Sequence, residues 1–269
     1  MFLFYGIWWI LQLSRVYYHT RWKHIDFRSS LIYPCSKQGC KQSVQSWIQL
    51  ILILIAISVI VTGTRHLDSQ GKTNMQMMRT CIILSAFGVS CLVNITAQFF
   101  ANSVPPGLDY CFFLFAFVVE GILFGHYVFN ETESLSSAAE NLVTYCAVIT
   151  VIVTVLELHY QSHVIFPFLR AYVTFIQGTW LCHMAHIFCS PSHWETNTDN
   201  VEVVSIYFVV HSMTDFIAVC VIWLIVYRLA LHDRCGCLPV NLDKSNEVFL
   251  ENRVHFDYHI LDRLGSDAD

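Results

Sequence analysis

Charged residues are scarce in this chain, and that scarcity limits the classes of protein it can belong to. Asp, Glu, Lys and Arg make up only 13% of the residues, whereas 55% are hydrophobic. A soluble domain carries about 25% charged residues. No basic run with interleaved aromatic residues is present, so nothing indicates a nucleic-acid partner. The composition therefore predicts an integral membrane protein whose surroundings are the lipid bilayer.

The short motifs of common enzyme classes are also missing. The sequence has no G-x-S-x-G elbow, no glycine-rich phosphate loop, no dinucleotide fingerprint and no H-E-x-x-H zinc signature. The acid-Arg-aromatic triplet and the N-P-x-x-Y stretch of G-protein-coupled receptors are absent as well. These absences favour a non-enzymatic protein over an enzyme and argue against a receptor.

What the sequence does contain is a series of long apolar segments. A bilayer core of about 30 Å requires roughly 20 helical residues, and only a helix satisfies its own backbone groups in lipid. The segments lie at 2–18, 47–62, 81–100, 108–129, 139–158, 166–189 and 203–231. We predict an all-α polytopic membrane protein with a bundle of seven transmembrane helices over residues 1–231, followed by a flexible cytosolic tail at 232–269.

The first segment is one of the two shortest, and its position at the N-terminus is that of a signal peptide. No basic residue precedes it, and Arg15, Tyr17 and Tyr18 occupy the place of a small-residue cleavage site. We therefore interpret it as a retained helix. The region 14–46 has six basic residues and one acidic residue, which predicts a cytosolic loop. If this loop is cytosolic and seven helices cross the membrane, the C-terminal tail is also cytosolic. The loop at 63–79 then lies on the exterior side, although it is basic as well.

Two kinds of modification are consistent with this topology. Cys235 and Cys237 follow the last segment next to Arg228 and Arg234, a setting typical of reversible palmitoylation, and free thiols are the alternative. Asn130 begins an Asn-Glu-Thr glycosylation sequon in a loop predicted to lie outside. The alternative for Asn130 is an unmodified residue at a helix end.

Ionisable residues at membrane depth are costly, so they mark candidate functional sites. In the predicted topology, four histidines and two carboxylates fall at similar depth in the outer half of three helices. A divalent metal site is one interpretation, because neutral imidazole and carboxylate suit zinc, copper or iron. Interhelical hydrogen bonding is the other, and haem between facing histidines is a third. The candidate metal ligands are Glu120, His126, His183, His186, His211 and Asp215.

Several stretches resemble one family of membrane proteins. Glu120-Gly121, Glu157, His163, the sequence Gln177-Gly178-Thr179-Trp180 and His211 are similar to motifs of the transmembrane protein 45 family, which includes the transmembrane epididymal proteins. The resemblance extends over residues 2–231 and is close from residue 108 onward. It implies a multi-pass protein of endomembranes or the plasma membrane.

The resemblance also bears on function. Tyr127 stands where the family has a histidine, so a family metal site would have lost part of its ligands here. We therefore expect a non-enzymatic protein that acts in membrane interaction or trafficking. A metal-dependent or redox membrane enzyme is the alternative, and a carrier of a small ligand or lipid is a third possibility.

Overall fold

The computed structural model describes residues 1–24, 26–31, 44–66, 71–100, 104–105, 107–128, 135–189 and 198–234. Within these ranges every regular element is an α-helix. The helices are α1 (Phe2–Lys23), α2 (Val44–His66), α3 (Gly71–Phe99), α4 (Leu108–Val128), α5 (Leu135–His159), α6 (Ile165–Cys189) and α7 (Thr198–Arg234). The prediction of an all-α fold with seven helices is confirmed. Residues 235–269, most of the predicted tail, lie outside the described residues.

Five of the helices are long and apolar enough to cross a membrane, by length and composition. These spans are Val44–Gly63, Met75–Phe99, Leu108–Gly125, Leu135–His159 and Glu202–Leu231. They belong to α2, α3, α4, α5 and α7, which also carry nearly all of the large apolar side chains that are exposed. Exposed apolar side chains on this scale are what a lipid surrounding stabilises.

Helices α1 and α6, which are not among these five spans, form an antiparallel inner pair. Each contributes one large exposed apolar side chain, Ile7 and Ile165 respectively. A Cβ added to Gly6 would lie 2.6 Å from the Cα of Phe175, and one added to Gly178 would lie 2.3 Å from the backbone nitrogen of Leu3. Only glycine permits two helix backbones to come so close.

Aromatic side chains connect α1 to the other side of the bundle. The ring of Phe2 lies 5.1 Å from that of Phe87 on α3, and Trp9 lies 5.6 Å from Phe113 on α4, both edge to face. The indole of Trp8 donates a 3.0 Å hydrogen bond to Gln45 on α2. Helix α1 therefore contacts α2, α3 and α4 on one side and α6 and α7 on the other, so the main apolar core forms around it.

Candidate functional site: buried polar pairs around helix α6

Four consecutive residues of α6 contact four different helices. Gln177 donates a 2.7 Å hydrogen bond to Glu120 on α4, and Thr179 donates one of 2.6 Å to Asp215 on α7. Between them, Gly178 faces the backbone of α1. The indole of Trp180 donates a 3.2 Å bond to the backbone carbonyl of Ala139 on α5. The sequence Gln-Gly-Thr-Trp thus provides contacts between α6 and four neighbouring helices.

Two turns before Gln177, α6 carries an arginine in a buried ion pair. The Nε and Nη2 atoms of Arg170 donate to the carboxylate of Glu157 at 2.6 and 3.1 Å, and the two side chains are 1% and 0% exposed. Tyr110 donates a 3.2 Å bond to the same carboxylate. Arg170 also donates to the carbonyl of Ser30 and lies 4.3 Å from the ring centroid of Trp9. Arg170 thereby connects α6 to Trp9 of α1 and to Ser30, seven residues after the end of α1.

The pair of Glu120 and Gln177 lies deeper in the bundle. Glu120 is 13 positions into α4 and Gln177 is 13 positions into α6 by chain numbering, which places both near the middle of their helices. Both side chains are fully buried. One hydrogen bond joins them, from the amide nitrogen of Gln177 to Oε1 of Glu120. Glu120 Oε2 and Gln177 Oε1 accept no hydrogen bond from the described residues.

A second face of α6 carries polar side chains toward α7. Tyr172 donates a 2.8 Å bond to the carbonyl of Ser212, one turn before the bond from Thr179 to Asp215 along α7. Further toward the end of α6, the rings of His183 and His211 lie 4.7 Å apart. Trp180 stacks on His183 at 5.5 Å. These contacts hold α7 against α6 from Tyr172 to His183 along α6.

The structure describes the side chains of five of the six predicted metal ligands, and their contacts differ. Glu120 bonds to Gln177, Asp215 bonds to Thr179, and His186 is exposed. His183 and His211 lie ring to ring. No group of three or more His, Cys, Asp or Glu side chains among the described residues is arranged to hold a metal ion. The side chain of His126 lies outside the described residues.

The other predicted site residues have separate positions. Gly121, next to Glu120, faces Ala147 on α5 with room for a methyl group, since an added Cβ would lie 3.8 Å from the Cβ of Ala147. His163 is exposed in the turn between α5 and α6, where its backbone N–H donates to the carbonyl of Tyr160. Asn130, Cys235 and Cys237 lie outside the described residues, so their predicted modifications stay predictions.

The sequence reasoning missed two arginines that lie inside the bundle. Arg170 is the one arginine within the predicted helix at 166–189, and this isolation in an apolar segment was a sufficient signal. Arg79 forms a bidentate ion pair with Glu140, both bonds 2.8 Å long, and lies 4.7 Å from the ring of Phe124. Arg79 was counted as a basic residue of the exterior loop at 63–79. Its charge is paired inside the bundle, so it carries little weight in an orientation argument.

The part of the sequence that contains most of these pairs matches the model of a known family. Residues 106–224 match a family of unknown function, DUF716. Transmembrane protein 45 proteins are members of that family. The match extends from α4 into α7 and therefore includes Glu120, Glu157, Arg170, the Gln-Gly-Thr-Trp sequence and Asp215. The predicted resemblance is confirmed at the level of this wider family.

Proposed function

We propose that the protein is a seven-span integral membrane protein of the transmembrane protein 45 type, which acts without catalysis in membrane interaction or trafficking. The proposal places it in endomembranes or the plasma membrane with a cytosolic C-terminal tail. It rests mainly on the pairing of buried polar groups. Each of Glu120, Glu140, Glu157 and Asp215 bonds to a side chain of another helix. Polar groups in lipid that satisfy one another in this way act as interhelical contacts.

Seven spans are supported by the position of α1 and α6 between the more apolar helices. At about 1.5 Å per residue, helices of 22 and 25 residues are about 33 and 37 Å long, sufficient for a bilayer core of about 30 Å. Polar side chains of both helices bond to neighbouring helices: Trp8 of α1 donates to Gln45, and Gln177 and Thr179 of α6 donate to Glu120 and Asp215. Low hydropathy is therefore compatible with a transmembrane position for both helices.

An epitope-accessibility experiment tests the number of spans. Single tags are inserted before Met1, in 32–43, in 160–164 and in 190–197, and antibody access is compared before and after selective permeabilisation of the plasma membrane. Seven spans place the first and second tags on opposite sides, and likewise the third and fourth. If α1 and α6 do not cross, each of these two comparisons gives tags on the same side. Two further tags, in 67–70 and in 101–106, are the control, because both topologies place them on opposite sides of the membrane.

A capture experiment tests the function. The full-length protein, extracted in mild detergent, is expected to retain the same membrane proteins in repeated purifications, whereas an unrelated multi-span protein from the same membrane does not. Failure to retain any reproducible partner contradicts a role in membrane interaction. Stoichiometric zinc, copper or iron in protein purified without chelators contradicts the non-enzymatic proposal and favours the metal-dependent enzyme.

A further inference from the structure

The centre of the bundle contains two buried acceptor oxygens for which the described residues provide no donor. They are Oε2 of Glu120 and Oε1 of Gln177, whose side chains are joined by a single hydrogen bond. Glu120 is 1% exposed and Gln177 is 0% exposed. Leaving a buried acceptor unsatisfied costs about 1–3 kcal/mol, and more for a charged group. Two such atoms at one contact indicate that a hydrogen-bond donor belongs there.

The described residues also provide no cationic partner for the carboxyl group of Glu120. Arg79 and Arg170 are the buried basic side chains in the described part of the chain, and each is bonded to a different carboxylate, Glu140 and Glu157. The neighbour on α6 is the neutral amide of Gln177. On α5, the group in electrostatic contact with Glu120 is the thiol of Cys146, which is also buried. An ionised carboxylate here would be a buried charge without compensation, which proteins avoid.

We propose that Glu120 and Gln177 form a proton-binding site at the middle of the bundle, in which Glu120 is a neutral carboxylic acid. The proton comes from a solvent hydronium ion, which becomes water, and no electrons are transferred. Protonation at Oε2 removes the uncompensated charge and converts one orphan acceptor into a donor. The remaining bond, from Gln177 to Oε1, is compatible with the acid form because the carbonyl oxygen of the acid accepts it.

The number of available oxygens favours a proton over a metal cation. Hard cations such as Ca²⁺ and Mg²⁺ take about six or more oxygen ligands. The described residues leave two oxygens unpaired at this contact, Oε2 of Glu120 and Oε1 of Gln177. A proton requires one of them.

Infrared spectroscopy of the purified full-length protein at neutral pH tests the proposal. We expect the carbonyl stretch of a protonated carboxyl group, and we expect the E120Q variant to lose the intensity of one such group. The matched control is E202Q, which changes an exposed carboxyl on α7 and is expected to leave this band unchanged. Because glutamine is a neutral isostere, E120Q is also expected to keep the melting temperature of the wild type.

A second variant keeps the test independent of the folding of E120Q. Q177L retains Glu120 but removes the donor to its Oε1, so the carboxyl band is expected to remain and to move to higher frequency. The proposal is overturned if the wild type shows no protonated carboxyl band at neutral pH. It is equally overturned if E120Q leaves the band intact or if Q177L leaves its frequency unchanged.

Discussion

Replacing Arg170 with methionine is expected to lower the free energy of unfolding by about 3–5 kcal/mol, the usual cost of removing one partner of a buried ion pair. Methionine fills similar space next to Trp9 but leaves the carboxylate of Glu157 without its cationic partner, while the bond from the hydroxyl of Tyr110 remains. The bond to the carbonyl of Ser30 is lost as well. The measurement is the midpoint of unfolding in mixed micelles, compared with the wild type.

Two further variants show whether the loss comes from the buried charge. Arg15→Met removes an exposed arginine from α1 and is expected to change the free energy of unfolding by less than about 1 kcal/mol. The double variant Arg170→Met with Glu157→Leu is expected to recover much of the stability, because an apolar pair of similar volume replaces the ion pair. Equal effects of Arg15→Met and Arg170→Met would contradict the assigned role of the pair.

Replacing Gly178 with alanine is expected to separate α1 from α6. The added methyl group would lie 2.3 Å from the backbone nitrogen of Leu3 and 2.6 Å from its Cα. These are backbone atoms, so no side-chain rotation relieves the contact, and overpacking of this kind costs about 1–3 kcal/mol. The predicted result is a lower melting temperature and faster proteolysis near the N-terminus, measured on the protein in detergent.

Gly121 provides the matched control for this substitution. It is also a helical glycine next to a buried polar residue, but an added Cβ would meet only the methyl group of Ala147 at 3.8 Å. Gly121→Ala is expected to retain or raise the melting temperature, because alanine is favoured over glycine in a helix by about 1 kcal/mol. If both alanine variants behave alike, the close approach of α1 at Gly178 does not limit stability.

The positions of the helices were largely predictable because apolar length is a local property. The predicted segment 166–189 corresponds to α6 at Ile165–Cys189, and 108–129 corresponds to α4 at Leu108–Val128. Other helices extend further than the apolar windows. Helix α3 begins at Gly71, ten residues before the segment predicted from 81, because a helix continues through polar residues beyond the hydrocarbon core.

The candidate site was predictable as a set of residues but not as an arrangement. Glu120, Glu157, Gln177 and Asp215 stood out because polar groups in apolar segments are rare. Depth along the helices suggested that Glu120 and Asp215 converge with the histidines. In the structure Glu120 bonds to Gln177 and Asp215 bonds to Thr179. The rotation of each helix, which depth does not determine, decides which side chains meet.

The sequence by itself determined an all-helical fold with helices apolar enough to cross a membrane, since the length and apolar character of each segment decide whether it is stable in lipid. It also identified the Gln-Gly-Thr-Trp sequence as distinctive. Only the tertiary structure showed that α1 and α6 are the inner pair and that Arg170 neutralises Glu157. The packing of the whole bundle decides which helices lie next to each other, and this in turn decides which distant segments of the chain come into contact.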